Sequence, residues 1–193
     1  MDEQTTAHPK NLTRGQALRL DLYFWLQALA IALVTLIVLF TTVGRVISVD
    51  GNSMVPTLHH MDLLLLQSAG YTPRQNDVVV LTKPFGGVDG PIVKRVIAVG
   101  GQTVDIDYTS GAVAVDGQVL DEYYLNEPME PPSNPYAAVT SLTVPEGCIF
   151  VMGDNRNHSS DSRDARLGVI DQRCVLGRAV LIVLPLRDFG PIR

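Results

Sequence analysis

From Leu22 to Val43 no charged residue interrupts the chain, and only Gln27, Thr35, Thr41 and Thr42 break its apolar character. As a helix this run spans about 33 Å, at roughly 1.5 Å per residue, against a hydrocarbon core of about 30 Å. It is longer than the apolar part of a cleaved secretory signal, and Thr42-Val43-Gly44-Arg45 is a poor cleavage site. A buried soluble helix would show a polar face, and this run has none. Tyr23 and Trp25 stand near one end, where amphipathic rings favour the interface. The expectation is a transmembrane anchor over residues 22–44, behind a polar tail over residues 1–21 that turns helical near Gln16. Lys10, Arg14 and Arg19 flank one end and only Arg45 the other. The positive-inside rule then puts the N-terminus in the cytoplasm and residues 45–193 beyond a single-pass plasma-membrane span.

The remainder reads as strands. Arg45–Val49, Leu63–Leu66, Val78–Leu81, Ile92–Val99, Thr103–Asp107, Ala112–Val115, Cys148–Met152 and Cys174–Leu184 are apolar or alternating runs bounded by turn residues. Asp116-Gly117, set between Val115 and Val119, is a hairpin signal. Residues 121–143, rich in Tyr, Pro and Asn, read as loop or a small excursion. Many short strands punctuated by Gly and Pro predict an all-β domain, mainly β overall once the single helix is added. Carboxylates outnumber Lys and Arg by 20 to 15, for a net charge of −5. Nucleic acid is therefore a poor partner, because phosphate binding needs a basic face. Cys148 and Cys174 form no CxxC and no histidine pair has zinc-finger spacing. The adjacent His59 and His60 would point to opposite faces of a strand. No metal site is expected.

Three stretches carry candidate chemistry. Gly51-Asn52-Ser53-Met54-Val55-Pro56-Thr57-Leu58 sets a serine in a flexible run with a proline-stiffened exit, just past the apolar segment. A serine hydroxyl needs a base to become a nucleophile. Lys94 lies in Ile92–Val99, where Ile92, Lys94, Val96 and Ala98 share one strand face and Val93, Arg95, Ile97 and Val99 the other. Either these cations reach solvent from an edge strand, or one ammonium is held in an apolar site. Deprotonating an ordinary lysine at pH 7 costs roughly 4.6 kcal/mol, and burial would remove much of that. The third stretch, Val151 to Arg163, is a dense polar loop following an apolar strand, where functional groups often stand.

The Ser53 box, then Val93-Lys94-Arg95-Val96-Ile97, then Gly153-Asp154-Asn155-Arg156 with Asp161-Ser162-Arg163, stand behind an N-terminal anchor. In that order and approximate spacing they resemble bacterial type I signal peptidases, over nearly the whole chain from the anchor on. The resemblance implies Ser53 as the acylating nucleophile and Lys94 as its general base. It implies that the Ser159 hydroxyl orients the lysine amine, and that Asp154, Arg95, Asp161 and Arg163 hold the site together by charge pairing. It places Met54, Val49, Ile92 and Val93 in the walls of the substrate pockets, and a small second β-subdomain at about residues 101–143. The implied reaction removes N-terminal signal peptides from exported preproteins after small residues at −1 and −3, with no metal or cofactor. Preprotein signal peptides and membrane lipid are the implied partners, and association with the secretion machinery is open. Two departures stand out. Gly51 replaces a serine that supplies an oxyanion donor in some members, leaving backbone N–H groups for that task. Asn76 replaces a Gly before Asp77, and Asn tolerates positive φ.

Rival readings are a Ser53-His158-Asp161 triad, a catalytically inactive scaffold of the same fold in surface or pilus assembly, and a soluble autoprotease of the SOS-repressor type. The anchor disfavours the last, and retention of both Ser53 and Lys94 disfavours the scaffold. Cys148 and Cys174 can pair as a disulfide or stand as two buried thiols, and no bond essential for activity is expected.

Overall fold

The computed structural model describes residues 14–42, 44–83, 90–133, 136 and 139–192. Among the described residues it is mainly β with one α-helix, which forms a separate compact unit from the β-rich part. Helix α1 runs from Arg14 to Thr42. It starts before the apolar run, because Leu18, Arg19 and Leu20 are good helix formers and nothing between Arg14 and Leu22 breaks the helix. The expected tail over residues 1–13 lies outside the described residues. Along α1 every described side chain is exposed, including Leu22, Phe24, Trp25, Leu29 and Ile37. Among the described residues this is the one helix long and apolar enough to cross a membrane.

In the β-rich part, strands β1 (Gly44–Ser48), β2 (Leu63–Gln67), β3 (Val78–Leu81), β4 (Ile92–Val99), β9 (Cys148–Met152), β10 (Ile170–Asp171), β11 (Val175–Leu184) and β12 (Gly190–Pro191) make one antiparallel sheet. Its order is β1-β2-β11-β3-β4-β9-β10, with β12 on β11. Strands β5 (Thr103–Asp107), β6 (Ala112–Val115), β7 (Gln118–Val119) and β8 (Ser141–Thr143) make a second sheet in the order β7-β6-β5-β8. The turn between β6 and β7 has Asp116 at φ 52° and Gly117 at φ 78°, the left-handed pair that a two-residue hairpin requires. Asn76 also sits at positive φ, 70°, as its tolerance of that region permits.

Two apolar clusters lie within the large sheet's domain. Val49, Met54, Leu58, Leu64, Leu66, Val78, Val80 and Val93 pack in one. Val79, Leu81, Val96, Ile149, Val151 and Ile170 pack in another. A third joins the two sheets, with Ile97, Ala98, Phe150 and Met152 against Val104, Ile106, Val113 and Val115.

The strict alternation expected along β4 fails in its second half. Val96 pairs with Val151, but the next paired residue is Ala98, with Phe150. Ile97 is an extra residue at a bulge, so Ala98 turns to the same cluster as Ile97, and Val99 returns to the side of Val96. Lys94 precedes the bulge and keeps its expected face, with Ile92 and Val96.

Candidate active site

The loop between β1 and β2 carries Ser53. Two backbone rungs close its base, from Val49 N to Asp62 O and from Met61 N to Val49 O, each 2.9 Å. Gly51 takes φ 92°, a region that side chains avoid, and its N–H donates to His60 Nδ1 at 3.2 Å. The polar loop after β9 grips the serine from the other side. Asn155 N donates to Ser53 O at 3.0 Å, and Asn155 Nδ2 donates to Asn52 O at 3.1 Å. Thr57 Oγ1 donates to Asp154 Oδ2 at 2.5 Å. Ser53 is thus fixed through its own carbonyl and that of Asn52, which leaves its side chain to Lys94.

Lys94 Nζ lies 2.6 Å from Ser53 Oγ. The lysine is only 4% exposed. Burial is the main cause that lowers its pKa, from 10.5 to about 8. Asp161 pulls it back up, the Arg163 guanidinium pushes it down, and Asp154 adds a smaller upward pull. The edge-strand alternative is overturned, since β4 lies between β3 and β9 and is buried on both faces.

Arg95 turns to the opposite face and is wholly buried. It makes a fork to Asp154, with Nε to Oδ1 at 2.8 Å and Nη2 to Oδ2 at 2.7 Å. Its Nη1 donates to Asn76 O at 3.0 Å, and its guanidinium lies 4.0 Å from the centroid of the Tyr124 ring. Asp161 and Arg163 make a second buried fork, at 2.8 and 2.9 Å. Burial alone would raise the Asp161 carboxyl, but the Arg163 charge and bonds, with the Gly153 N–H at 3.0 Å, outweigh it and hold the pKa below the usual carboxylate range. Removing one partner of such a pair strands the other charge. Asp154→Ala is therefore expected to lower folding stability by about 3–5 kcal/mol in urea unfolding, and Asp154→Ala with Arg95→Met to lower it less.

The structure gathers Ser53, Lys94, Asp154, Asp161, Arg95 and Arg163 as expected neighbours. Ser159 stands beside them, because a Cβ built on Gly153 would lie 2.3 Å from Ser159 Oγ and 2.4 Å from Ser53 O. Its buried hydroxyl makes no hydrogen bond to Lys94, and it helps to hold down the pKa of the Asp161 carboxyl. Val49, Met54 and Val93 are buried together in one cluster, whereas Ile92 packs against the cluster on the lysine side of β4. His158 is exposed in a short helical turn over Arg156–His158, and Asp161 is occupied by Arg163, so the triad is not assembled. Cys148 and Cys174 are free and half-buried.

Other groups at the site escaped the sequence reading. Thr57 and Asn155 lie inside the boxes, and a polar side chain beside the serine or after an apolar strand was the available signal. Arg156 pairs with Glu122 from the segment beyond the second sheet's hairpin. Asn157 holds the same segment through Glu127 Oε1 at 2.9 Å and the Glu130 N–H at 2.8 Å.

The family described as signal peptidase, peptidase S26, matches residues 22–184 of this chain. A probable signal peptidase I-1 from Synechocystis is 35% identical over 173 residues, covering 85% of this chain and 83% of the relative. Signal peptidase I of Bacillus licheniformis is 30% identical over 195 residues, covering 97% of each. A crystal structure of a signal peptidase I from Enterococcus faecalis matches 56% of this chain and 97% of its own, at 30% identity and TM-score 0.44. Matches of this extent make the protein a serine peptidase, and so a hydrolase. The chain belongs to the signal peptidase family, peptidase S26.

Proposed function

We propose that this chain is a membrane-anchored endopeptidase that removes N-terminal signal peptides from exported preproteins, with Ser53 as nucleophile and Lys94 as general base. The observation that carries the reading is the 2.6 Å contact between Ser53 Oγ and a buried lysine whose proton is loosened by burial. Lys94 in its neutral form takes the hydroxyl proton as Ser53 attacks the carbonyl of the −1 residue. The Ser53 N–H, which has no acceptor among the described residues, is free to receive the developing oxyanion. Gly51 N–H is already engaged by His60. The Lys94 ammonium then gives its proton to the leaving amine, and a water deprotonated by the same lysine releases the acyl group. The buried hydroxyl of Ser159, beside the Ser53 backbone, orients the lysine amine. Asp154, Arg95, Asp161 and Arg163 act as positioning residues, and Val49, Met54, Ile92 and Val93 wall the pockets for small side chains.

The exposed apolar side chains described along α1 support the anchor. Lys10, Arg14 and Arg19 support a cytoplasmic N-terminus, with the β-rich part outside. Preprotein signal peptides in the same membrane are then the substrates.

The test is cleavage of a preprotein with Ala at −1 and −3, in detergent. Wild type is expected to cut once, after the −1 residue, and Ser53→Ala to lose about four to six orders of magnitude in kcat. His158→Ala is expected to retain nearly full turnover. Folded wild type that does not cut would sink the reading, and so would a folded Ser53→Ala chain that cuts normally.

A further inference from the structure

The peptidase reading leaves unused the charge that interrupts the last long apolar run, Arg178. On β11 it pairs with Gln67 of β2, and Gln67 pairs in turn with Gly44 of β1. Paired residues share a sheet face. Leu64, Leu66, Ala179 and Ile182 point into the core, so Gln67 and Arg178 point outward, in line with Val46, Leu65 and Leu181. An outer apolar row therefore ends on a guanidinium.

A cavity of about 230 Å³ opens there, lined by Gln67, Tyr71, Thr72, Arg74, Asp77 and Arg178. The Asp77 carboxylate is saturated by its own surroundings. It accepts from Tyr71 OH at 2.9 Å and Arg74 N at 3.1 Å, and pairs with Arg178 Nε at 3.1 Å. That pairing fixes the Arg178 plane and leaves its two Nη groups to the cavity. Arg74 is exposed, and its guanidinium has no ion pair among the described residues. The Gln67 amide and the Thr72 hydroxyl are likewise uncommitted. Two guanidinium groups against one carboxylate leave a surplus positive charge on an otherwise acidic chain, ringed by N–H and O–H donors. Such a set suits a phosphate, which takes forked donation from arginine.

Chain connectivity says which phosphate. Gly44 stands two residues beyond Thr42, the last residue of α1, and two residues span at most about 7 Å. Arg178 lies two strands across from Gly44 on the same rung, at about 4.8 Å per strand. The cavity thus belongs to the first rung of the large sheet that the chain forms after the proposed span, and the short connection keeps it within reach of lipid headgroups. We propose that Arg74 and Arg178, with Gln67 and Thr72, hold the phosphate of an anionic membrane phospholipid. This rests on the reading of α1 as a membrane anchor. A headgroup without a cation of its own suits the surplus charge better than a zwitterionic one.

The probe is dioleoylphosphatidylglycerol, titrated into the detergent-purified full chain carrying Ser53→Ala, with retained lipid counted by native mass spectrometry. Arg74→Gln is expected to raise the half-saturating lipid concentration roughly tenfold, about 1.4 kcal/mol. Phosphatidylcholine is expected to bind more weakly than phosphatidylglycerol to the parent chain alone. Arg178→Lys, which keeps a cation beside Asp77 but loses the fork, is expected to weaken binding with unfolding in urea unchanged. Equal half-saturation with and without Arg74 would overturn the site. Displacement by millimolar inorganic phosphate would overturn the lipid assignment in favour of a free anion. Alkaline extraction of the chain from membranes tests the anchor separately. A chain that extracts yet binds phosphatidylglycerol through Arg74 supports the site and refutes only the anchor.

Discussion

Lys94→Met is expected to abolish turnover and, at neutral pH, to make the protein more stable. The loss of turnover follows from the proposed role of Lys94 as the base that activates Ser53, since single deletions within such a unit cost about four to six orders of magnitude in kcat. The gain in stability follows from linkage. In the unfolded chain the lysine titrates at 10.5, and in the fold at about 8. Between those values the unfolded state binds more protons, so stability rises with pH across that window and the full burden is carried below about pH 8. At 1.36 kcal/mol per unit the burden is roughly 3 kcal/mol. Urea unfolding of Lys94→Met against the parent should show a gain of that order at pH 7, closing as pH approaches 10.5. No gain at any pH would mean that the amine is not desolvated. Cleavage by the parent should rise about tenfold per pH unit below 8 and level off above it, as the neutral base fills.

Gly153→Ala is expected to be the next most damaging change to turnover, although it removes no reacting group. A methyl there would stand 2.3 Å from Ser159 Oγ, 2.6 Å from Ser159 Cβ and 2.4 Å from Ser53 O. The backbone carbonyl cannot rotate away, because the Asn155 N–H holds it at 3.0 Å. The nucleophile loop must therefore shift, and a displacement of about 1 Å is enough to cost about a hundredfold in kcat. Overpacking should also lower stability by about 1–3 kcal/mol. The discriminating readout is kcat, with substrate binding retained. Wild-type kcat in a folded Gly153→Ala chain would show that the loop has slack that the packing does not suggest.

Much of this was legible before the fold was seen, for a physical reason. Val78–Leu81, Ile92–Val99, Thr103–Asp107, Ala112–Val115 and Cys148–Met152 form strands at the expected bounds, because each is a dense run of β-formers between turn residues. Ser141–Thr143, Ile170–Asp171 and Gly190–Pro191 were not expected as strands. Segments this short carry no period of their own and become strands only because a neighbour offers its edge. The same division holds at the site. Ser53 and Lys94 stand out because a serine and a lysine in apolar company ask for a reason. Glu122 and Tyr124 do not, since they lie in a stretch rich in turn residues. Their partners Arg156 and Arg95 are brought to them only by packing. The bulge at Ile97 was equally hidden, because an unbroken apolar run is compatible with either register.

The placement of β11 between β2 and β3 bears on how the enzyme comes into being. The serine loop belongs to one side of that strand and the lysine to the other, and β2 and β3 share no direct pairing. A chain emerging from the ribosome acquires Ser53 and Lys94 early, but the strand pairing that joins their two halves of the sheet waits for Val175–Leu184. The sheet beneath the two side chains is therefore closed by a strand made well after both of them.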